Sequence, residues 1–378
     1  MTARGRALAI LTGLAVFVAG WVVFVSEWSG PAGAGPDGRG AGVAGTRAAD
    51  LDAFRNELLV WAPGGFSEKE VGRVRDSTRV AAISAVRTGT LPAASGRPGY
   101  KVVPVETMAV DTNAYTSATG RPGRKLATLL PKGAVLSKTG AKLRRVKSGG
   151  KLKLDGKRAL RVSGMVDDAL LGGYEVAMER NLARRYGIQR AAYLLVRPRG
   201  PAEDLRTELR KLLKGRAIRF VTPGDRPFVR GGDGVLPMSQ VKARFGEFAL
   251  PSLRKGWPDP AWAKANLVTR KVPLLGRVRC HKLVVDDLGK AMADLERQRL
   301  GGLVDVGDFR RPGGCWSPRL LRDARGGKLS RHAWGIAVAL KVSGDERLIR
   351  TMAQHGFVWG GGFARPDATH FEWVGRGA

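Results

Sequence analysis

The chain has 378 residues, enough for two domains beyond a leader. Its formal charge is +32, from 65 Lys and Arg against 33 Asp and Glu, a field that attracts polyanions. No zinc finger, RNA-recognition signature or helix-turn-helix phrase accompanies that charge, so no nucleic-acid partner is expected.

Arg4 and Arg6 precede residues 7–25, an uncharged apolar run of the length a membrane-spanning helix needs. The run is long for the apolar part of a signal peptide, although Ala32-Gly-Ala34 offers a cleavage site, so an uncleaved anchor is favoured. The leading arginines predict a cytoplasmic N-terminus and an outside body, hence a single-pass protein of the cell membrane. Residues 1–28 are read as tail and anchor, and the Gly/Pro/Ala-rich residues 29–48 as a flexible linker. For such an outside body the polyanions at hand are anionic lipid and wall polymer. An arginine-rich composition with no dedicated partner is the plainer alternative.

Residues 49–240 read as an α+β extracytoplasmic domain. Leu58-Leu-Val-Trp61 predicts a strand, Ser67-Glu-Lys-Glu70 a capping box opening a short helix, and Val80 to Thr88 a second strand. The pattern recurs with a strand at Leu194-Leu-Val196, a helix from Pro201 to Leu213 and a strand from Ala217 to Val221. Two such βαβ units suggest a ferredoxin-like element. Between them, residues 141–160 carry eight Lys or Arg and one acid, alternating around Asp155-Gly156 as a hairpin does. These lysines are either a contact for anionic polymer or the solvated face of that hairpin. Gly173 through Tyr186 then predicts an amphipathic helix. The arrangement is similar to the periplasmic domains of membrane permeases. Transport does not follow, because the chain has a single apolar span.

The text changes at residues 246–378. Asp286 is expected to cap a helix through Arg299, with Leu288, Met292 and Leu295 toward a core. Ser343-Gly-Asp-Glu346 reads as a capping box for a helix carrying Leu348, Ile349 and Met352 and ending at Gly356. The two cysteines, Cys280 and Cys315, suit a structural disulfide in an exported chain; two buried thiols are the alternative. Two of the four histidines, His281 and His355, read as structural. The other two sit in distinctive phrases: Ser330-Arg-His332-Ala-Trp-Gly335-Ile-Ala337-Val and Asp367-Ala-Thr-His370-Phe-Glu372, with Trp359-Gly-Gly between them.

These phrases resemble the M15 family of zinc peptidases, the D-alanyl-D-alanine carboxypeptidase and L-alanyl-D-glutamate endopeptidase group that trims peptidoglycan. Its pattern is Ser-x-His-x-x-Gly-x-Ala-x-Asp, a Trp-Gly-Gly segment, and Asp-x-x-His-Phe-Glu. Trp257-Pro-Asp-Pro-Ala-Trp262 and Val272-Pro-Leu-Leu-Gly276 resemble the lead-in of exported domains of this type. The resemblance implies a C-terminal M15-like zinc-peptidase domain acting on stem peptides, with His332 and His370 as zinc ligands and Asp367 as general base. Arg319 is the candidate for holding substrate carboxylate or oxyanion, with Arg310 and Arg311 as rivals. Glu372 is expected to hold a histidine from behind the metal. One position departs from the pattern: the family's second zinc ligand, an Asp seven residues after the first His, is Ala339 here. The zinc site is therefore expected to be weakened or absent. Two functions remain open, a peptidase and a non-catalytic protein that binds wall peptides or regulates a partner. The serine-type fragments Ser252-Leu-Arg-Lys255 and Lys138-Thr-Gly140 occur in reversed order without a Ser-x-Asn, and carry little weight.

Overall fold

The computed structural model describes residues 57–155, 159–221, 236–304, 314–321, 328–340, 345–363 and 365–375. The anchor and linker expected over residues 1–48 lie outside these, as do Arg310 and Arg311. Among the described residues no helix is long and apolar enough to cross a membrane.

β1 (Leu58–Phe66) leads through α1 (Glu68–Arg75) into β2 (Val80–Arg97). The expected capping box opens α1: Glu70 N–H donates to Ser67 Oγ at 3.3 Å, and Ser67 N–H donates to Glu70 Oε2 at 2.7 Å. There follow β3 (Tyr100–Val110), α2 (Thr112–Thr119), α3 (Arg121–Ala127), β4 (Ala134–Ser137), α4 (Lys138–Leu143), β5 (Lys151–Lys153), β6 (Ala159–Val166), β7 (Val176–Glu179) and α5 (Arg180–Arg184). Then come β8 (Ala191–Pro198), α6 (Ala202–Leu212) and β9 (Arg219–Val221).

All nine strands join one mixed sheet, in the order β5-β6-β4-β7-β3-β2-β8-β1-β9. β8 lies between β1 and β2, antiparallel to both, and β1 lies between β8 and β9, antiparallel to both. The two strand–helix–strand units thus interlock, each placing a strand inside the other, as a ferredoxin-like element does. The expected basic hairpin pairs Lys151 with Arg161 and Lys153 with Ala159.

Two expectations about the sheet do not hold. β2 does not stop near Thr88 but runs to Arg97, pairing with β3. Gly89 and Pro92 look like strand breakers. Pro92, however, stands opposite Pro104, so neither asks the other for an N–H. Gly173 to Tyr186 is not one helix. Its first half is β7, parallel to β3 and antiparallel to β4, and only Arg180–Arg184 is helical. Val176, Ala177 and Met178 are all buried, so sheet pairing overrides the helical periodicity.

The C-terminal region contains α7 (Met238–Phe245), α8 (Pro260–Asn266), the hairpin β10 (Leu267–Val272) and β11 (Gly276–His281), α9 (Val285–Arg297), β12 (Ala337–Ala339), α10 (Glu346–Gln354), β13 (Phe357–Trp359) and β14 (His370–Trp373). One core joins them, including Phe245, Phe248, Trp262, Leu288, Met292, Trp334, Phe357 and Phe371. The N-cap position of α9 is Val284 and not Asp286, and its first turn carries Asp286 and Asp287. α10 is capped by Asp345, whose carboxylate accepts from Arg347 N at 2.8 Å and Leu348 N at 3.2 Å. Ser343 lies outside the described residues.

Both described regions belong to one compact unit. They are stitched by α7. Met238, Val241 and Phe245 enter the C-terminal core. On the sheet side, Ser239 Oγ donates to Asp168 Oδ2 at 2.9 Å and Met238 N to Gly173 O at 3.1 Å. Lys242 is buried and lies 2.8 Å from Glu175 Oε2; it also donates to Pro104 O. Arg144 bridges Glu175 and Glu247, 2.7 Å from each. Burial pushes the Glu175 carboxyl up, but Lys242, Arg144 and the Glu106 N–H together hold it below the usual range.

Candidate functional site

Residues 314–319 run alongside His332. Cys280 at the end of β11 is joined to Cys315 by a disulfide, with 4.8 Å between Cα atoms, so the first of the two cysteine readings holds. Beyond the bridge, Ser317 N donates to His332 O at 3.0 Å. His332 rides on a short 3-10 helix, Arg331–Trp334, begun by Ser330, whose Oγ accepts from His332 N. The helix ends at Gly335 with φ 68°, where a side chain is disfavoured. A Cβ there would stand 2.8 Å from His281 N, so the tight packing of this turn on β11 also requires glycine.

His332 is buried, and its Nδ1 lies 3.0 Å from Cys315 O. A carbonyl only accepts, so Nδ1 carries the proton and Nε2 presents a lone pair. That Nε2 is shielded from solvent and has no hydrogen-bond partner. The His370 ring stands edge-on to it, with centroids 5.2 Å apart. Burial is the main cause that holds His332 well below its ordinary pKa, reinforced by His370 and Arg319. His370 is lowered to about 4, by burial first, with Arg319 and Arg331 adding to the fall and Asp367 opposing it. Both imidazoles are therefore neutral at physiological pH.

Sheet register places the residue that departs from the family pattern. β12 and β14 are antiparallel, pairing Ala337 with Glu372 and Ala339 with His370. Trp373 N donates to Ile336 O at 2.9 Å and Leu340 N to Thr369 O at 2.8 Å. The alternation makes Ala339–His370 a non-hydrogen-bonded pair, the closer kind, with both side chains on one face. Ala339 is exposed. A methyl group thus occupies the position from which a carboxylate would share the face of His370.

Asp367 is exposed and its carbonyl accepts from His370 N at 3.1 Å. Its carboxylate accepts from Thr369 N at 3.1 Å and Thr369 Oγ1 at 2.8 Å, an Asx-type turn. Asp367 N donates to Gly360 O at 3.0 Å. A Cβ on Gly360 would stand 2.8 Å from Asp367 O and 3.0 Å from the His370 Cβ, so the Trp-Gly-Gly segment is a close-approach device beneath the site. Arg319 is exposed, and its charge is felt by both histidines. All four sequence-predicted site residues, His332, His370, Asp367 and Arg319, thus gather at one place.

Arg331 was not singled out by the sequence. It is buried, makes a 3.3 Å ion pair with Glu372 and donates to Leu236 O at 2.9 Å. The Glu372 carboxylate, expected to support a histidine, thus pairs with a cation next to one. Its strand alternation with His370 was the available signal. The other two histidines are structural. His281 Nε2 lies 3.3 Å from Phe245 O and its Nδ1 accepts from Leu283 N. His355 caps α10 and lies 2.7 Å from Asp294. Ser252 and Lys255 close a tight turn, and Lys138 pairs with Asp167 at 2.7 Å, so neither serine-type fragment builds a site.

A family model described as D-alanyl-D-alanine carboxypeptidase, of the M15 peptidases, matches residues 324–373. The C-terminal region therefore carries an M15-like domain. No curated protein matches the chain. Among solved structures, the periplasmic region of MacB from Actinobacillus actinomycetemcomitans is 12% identical, with TM-score 0.33, covering 46% of this chain and 92% of that one. The extracellular domain of the noncanonic ABC-type transporter YknZ from Gram-positive bacteria is 13% identical, with TM-score 0.33, covering 44% of this chain and 100% of that one.

The M15 likeness implies zinc, and the donors can be tested against it. His332 Nε2, unprotonated, shielded and unpaired, is what a metal ligand looks like, and His370 is its neighbour. A catalytic zinc takes three protein ligands. Among the described residues no group of three His, Cys, Asp or Glu side chains could hold a metal. Asp345, the nearest acid after β12, is committed to its helix cap. Among the described residues the donor set, two imidazoles with a methyl group at position 339, does not fit a resident catalytic zinc.

Proposed function

We propose that this M15-like domain binds peptidoglycan stem peptides without cleaving them, from a single-pass anchor formed by residues 7–25 that places it outside the cell. The observation that carries this reading is the register of Ala339 with His370. The strand that would supply the third ligand pairs with that of His370, and a methyl group stands where the carboxylate would be. The rest of the site keeps the polar groups a peptide needs. Arg319 offers a guanidinium for a carboxylate, and the half-buried, neutral His370 imidazole offers a nitrogen lone pair to a peptide N–H group. Asp367, the base in an intact peptidase, here holds the turn that delivers His370 to the site.

The test pairs binding with chemistry. Calorimetry with a synthetic stem pentapeptide should show saturable binding that Arg319→Ala weakens. Mass spectrometry of the same mixture after prolonged incubation with zinc should show intact peptide. Release of D-alanine or of a shortened peptide would overturn the non-catalytic reading, and absence of binding would overturn the peptide-binding one.

A further inference from the structure

Trp257 is the most exposed large hydrophobic side chain among the described residues, with 61% of its surface open to solvent. Exposure of an indole to this degree forgoes burial of a large apolar area, and isolated cases need no explanation. Trp257 is not isolated. Its ring stands edge-on to that of Trp316, with centroids 5.8 Å apart and planes at 79°. Trp316 is half-buried and packs on the C-terminal core, and the Arg279 guanidinium lies over its ring at 4.3 Å. The outer indole is therefore held against an anchored aromatic, itself braced by a cation.

The place of this pair matters. Trp316 belongs to the stretch that builds the histidine site. Its neighbours in sequence are Cys315, whose carbonyl meets His332 Nδ1, and Ser317, whose N–H meets His332 O. Trp316 N donates to Arg279 O at 2.9 Å, which fixes the stretch to β11. Three residues on is Arg319, whose charge reaches both histidines. The turn that presents Trp257 rests on the same stretch: a Cβ on Gly256 would be 3.5 Å from the Cα of Arg319. One short segment thus touches His332, carries Arg319 and braces an exposed indole.

We propose that Trp257 and Trp316 form a sugar-binding platform continuous with the peptide site, so that the domain takes its ligand as a glycan-linked peptide. A pyranose ring presents a flat face of C–H groups, which an exposed indole covers well, while its hydroxyls stay in water. The peptide attached to that sugar then runs past Arg319 toward His332 and His370. This proposal rests on the peptide-binding reading above and adds the saccharide to it.

The experiment compares two ligands of identical peptide sequence, one free and one carried on an N-acetylglucosamine–N-acetylmuramic acid disaccharide, by calorimetry on the full chain. Wild type should bind the disaccharide-peptide roughly three- to tenfold more tightly than the free peptide, the gain of one good aromatic contact. Trp257→Ala should remove that difference while leaving free-peptide affinity unchanged, and Trp257→Phe should restore part of it. Equal wild-type affinity for the two ligands would overturn the platform and leave the peptide site standing. A Trp257→Ala variant that loses both ligands equally would assign the indole to the peptide site and also overturn the proposal. Binding of neither ligand by wild type would overturn both readings.

Discussion

Ala339 and His370 face each other across two antiparallel strands, on the same side of a small three-stranded sheet. Strand pairing here is secured by residues that do not touch the site. Val338 and Phe371 are fully buried on the opposite face, so a register slip would expose both. The backbone therefore holds position 339 beside His370 whether or not the side chain there has a function.

The disulfide is expected to stabilise both the fold and the site. It closes a loop of 35 residues in sequence separation. Loop-closure estimates give about 3 to 4 kcal/mol for a loop of this size. Cys280→Ala/Cys315→Ala should lower the urea midpoint accordingly. Stem-peptide affinity should fall as well, because the Cys315 carbonyl orients His332. Unchanged stability in the double variant would contradict this.

The buried pair of Lys242 and Glu175 predicts a large cost for removing one partner alone. Lys242→Met leaves the Glu175 carboxylate buried with Arg144 as its remaining cation, at a cost of about 3–5 kcal/mol. Lys242→Met/Glu175→Gln should cost less than the sum of the two single changes, read from a double-mutant cycle in urea. Additive costs would mean that the two groups do not act as a pair.

Acid should destabilise the protein in two overlapping stages. His281 and His370 are lowered to about 4, and burial holds His332 well below its ordinary value too, so the folded chain keeps all three neutral where the unfolded chain takes protons. Their contribution is fully present above the unfolded value of about 6.5 and is lost as pH falls from there toward about 4. Glu175 is also lowered, so its contribution, present above about 4.5, is lost on further acidification. Urea midpoints should fall between pH 7.5 and pH 5, and fall again below pH 4.5. A flat profile between pH 7.5 and pH 5 would contradict the buried neutral histidines.

Arg331 and Glu372 should behave as support for the site. Glu372→Ala leaves the Arg331 guanidinium buried with its carbonyl partner but no carboxylate, and should destabilise by roughly 3 kcal/mol or more. Guanidine titration of the variant measures it, and wild-type stability would show that the pair is dispensable.

Much of this site was legible because its residues lie in short phrases with fixed spacing. Ser330 to Ala339 and Asp367 to Glu372 are each nearly continuous in structure, so sequence distance maps onto geometry. The two βαβ units were legible for the same local reason, through the Ser67 capping box and apolar strand runs. Their interlocking was not, because β8 inserts between β1 and β2 from more than a hundred residues away. β7 was misread because a short, fully buried strand has no alternation to display. Arg331 was hidden by its neighbour: a basic residue next to a histidine motif looks like surface charge until its carboxylate partner is seen. Trp257 was visible as a residue of the lead-in, but its exposure and its contact with Trp316 depend on tertiary packing.

Zinc affinity, measured on wild type and Ala339→Asp side by side, bears most directly on the non-catalytic reading. Both proteins would be purified without added metal, assayed for zinc content and titrated with zinc in the calorimeter. Wild type should carry well under one equivalent and bind weakly, because two imidazoles lack a third donor. Ala339→Asp should approach one equivalent and bind tighter by orders of magnitude, several kcal/mol for the added carboxylate. Near-stoichiometric zinc in wild type, unchanged by Ala339→Asp, would show that another residue completes the coordination and that the site is an intact metal centre.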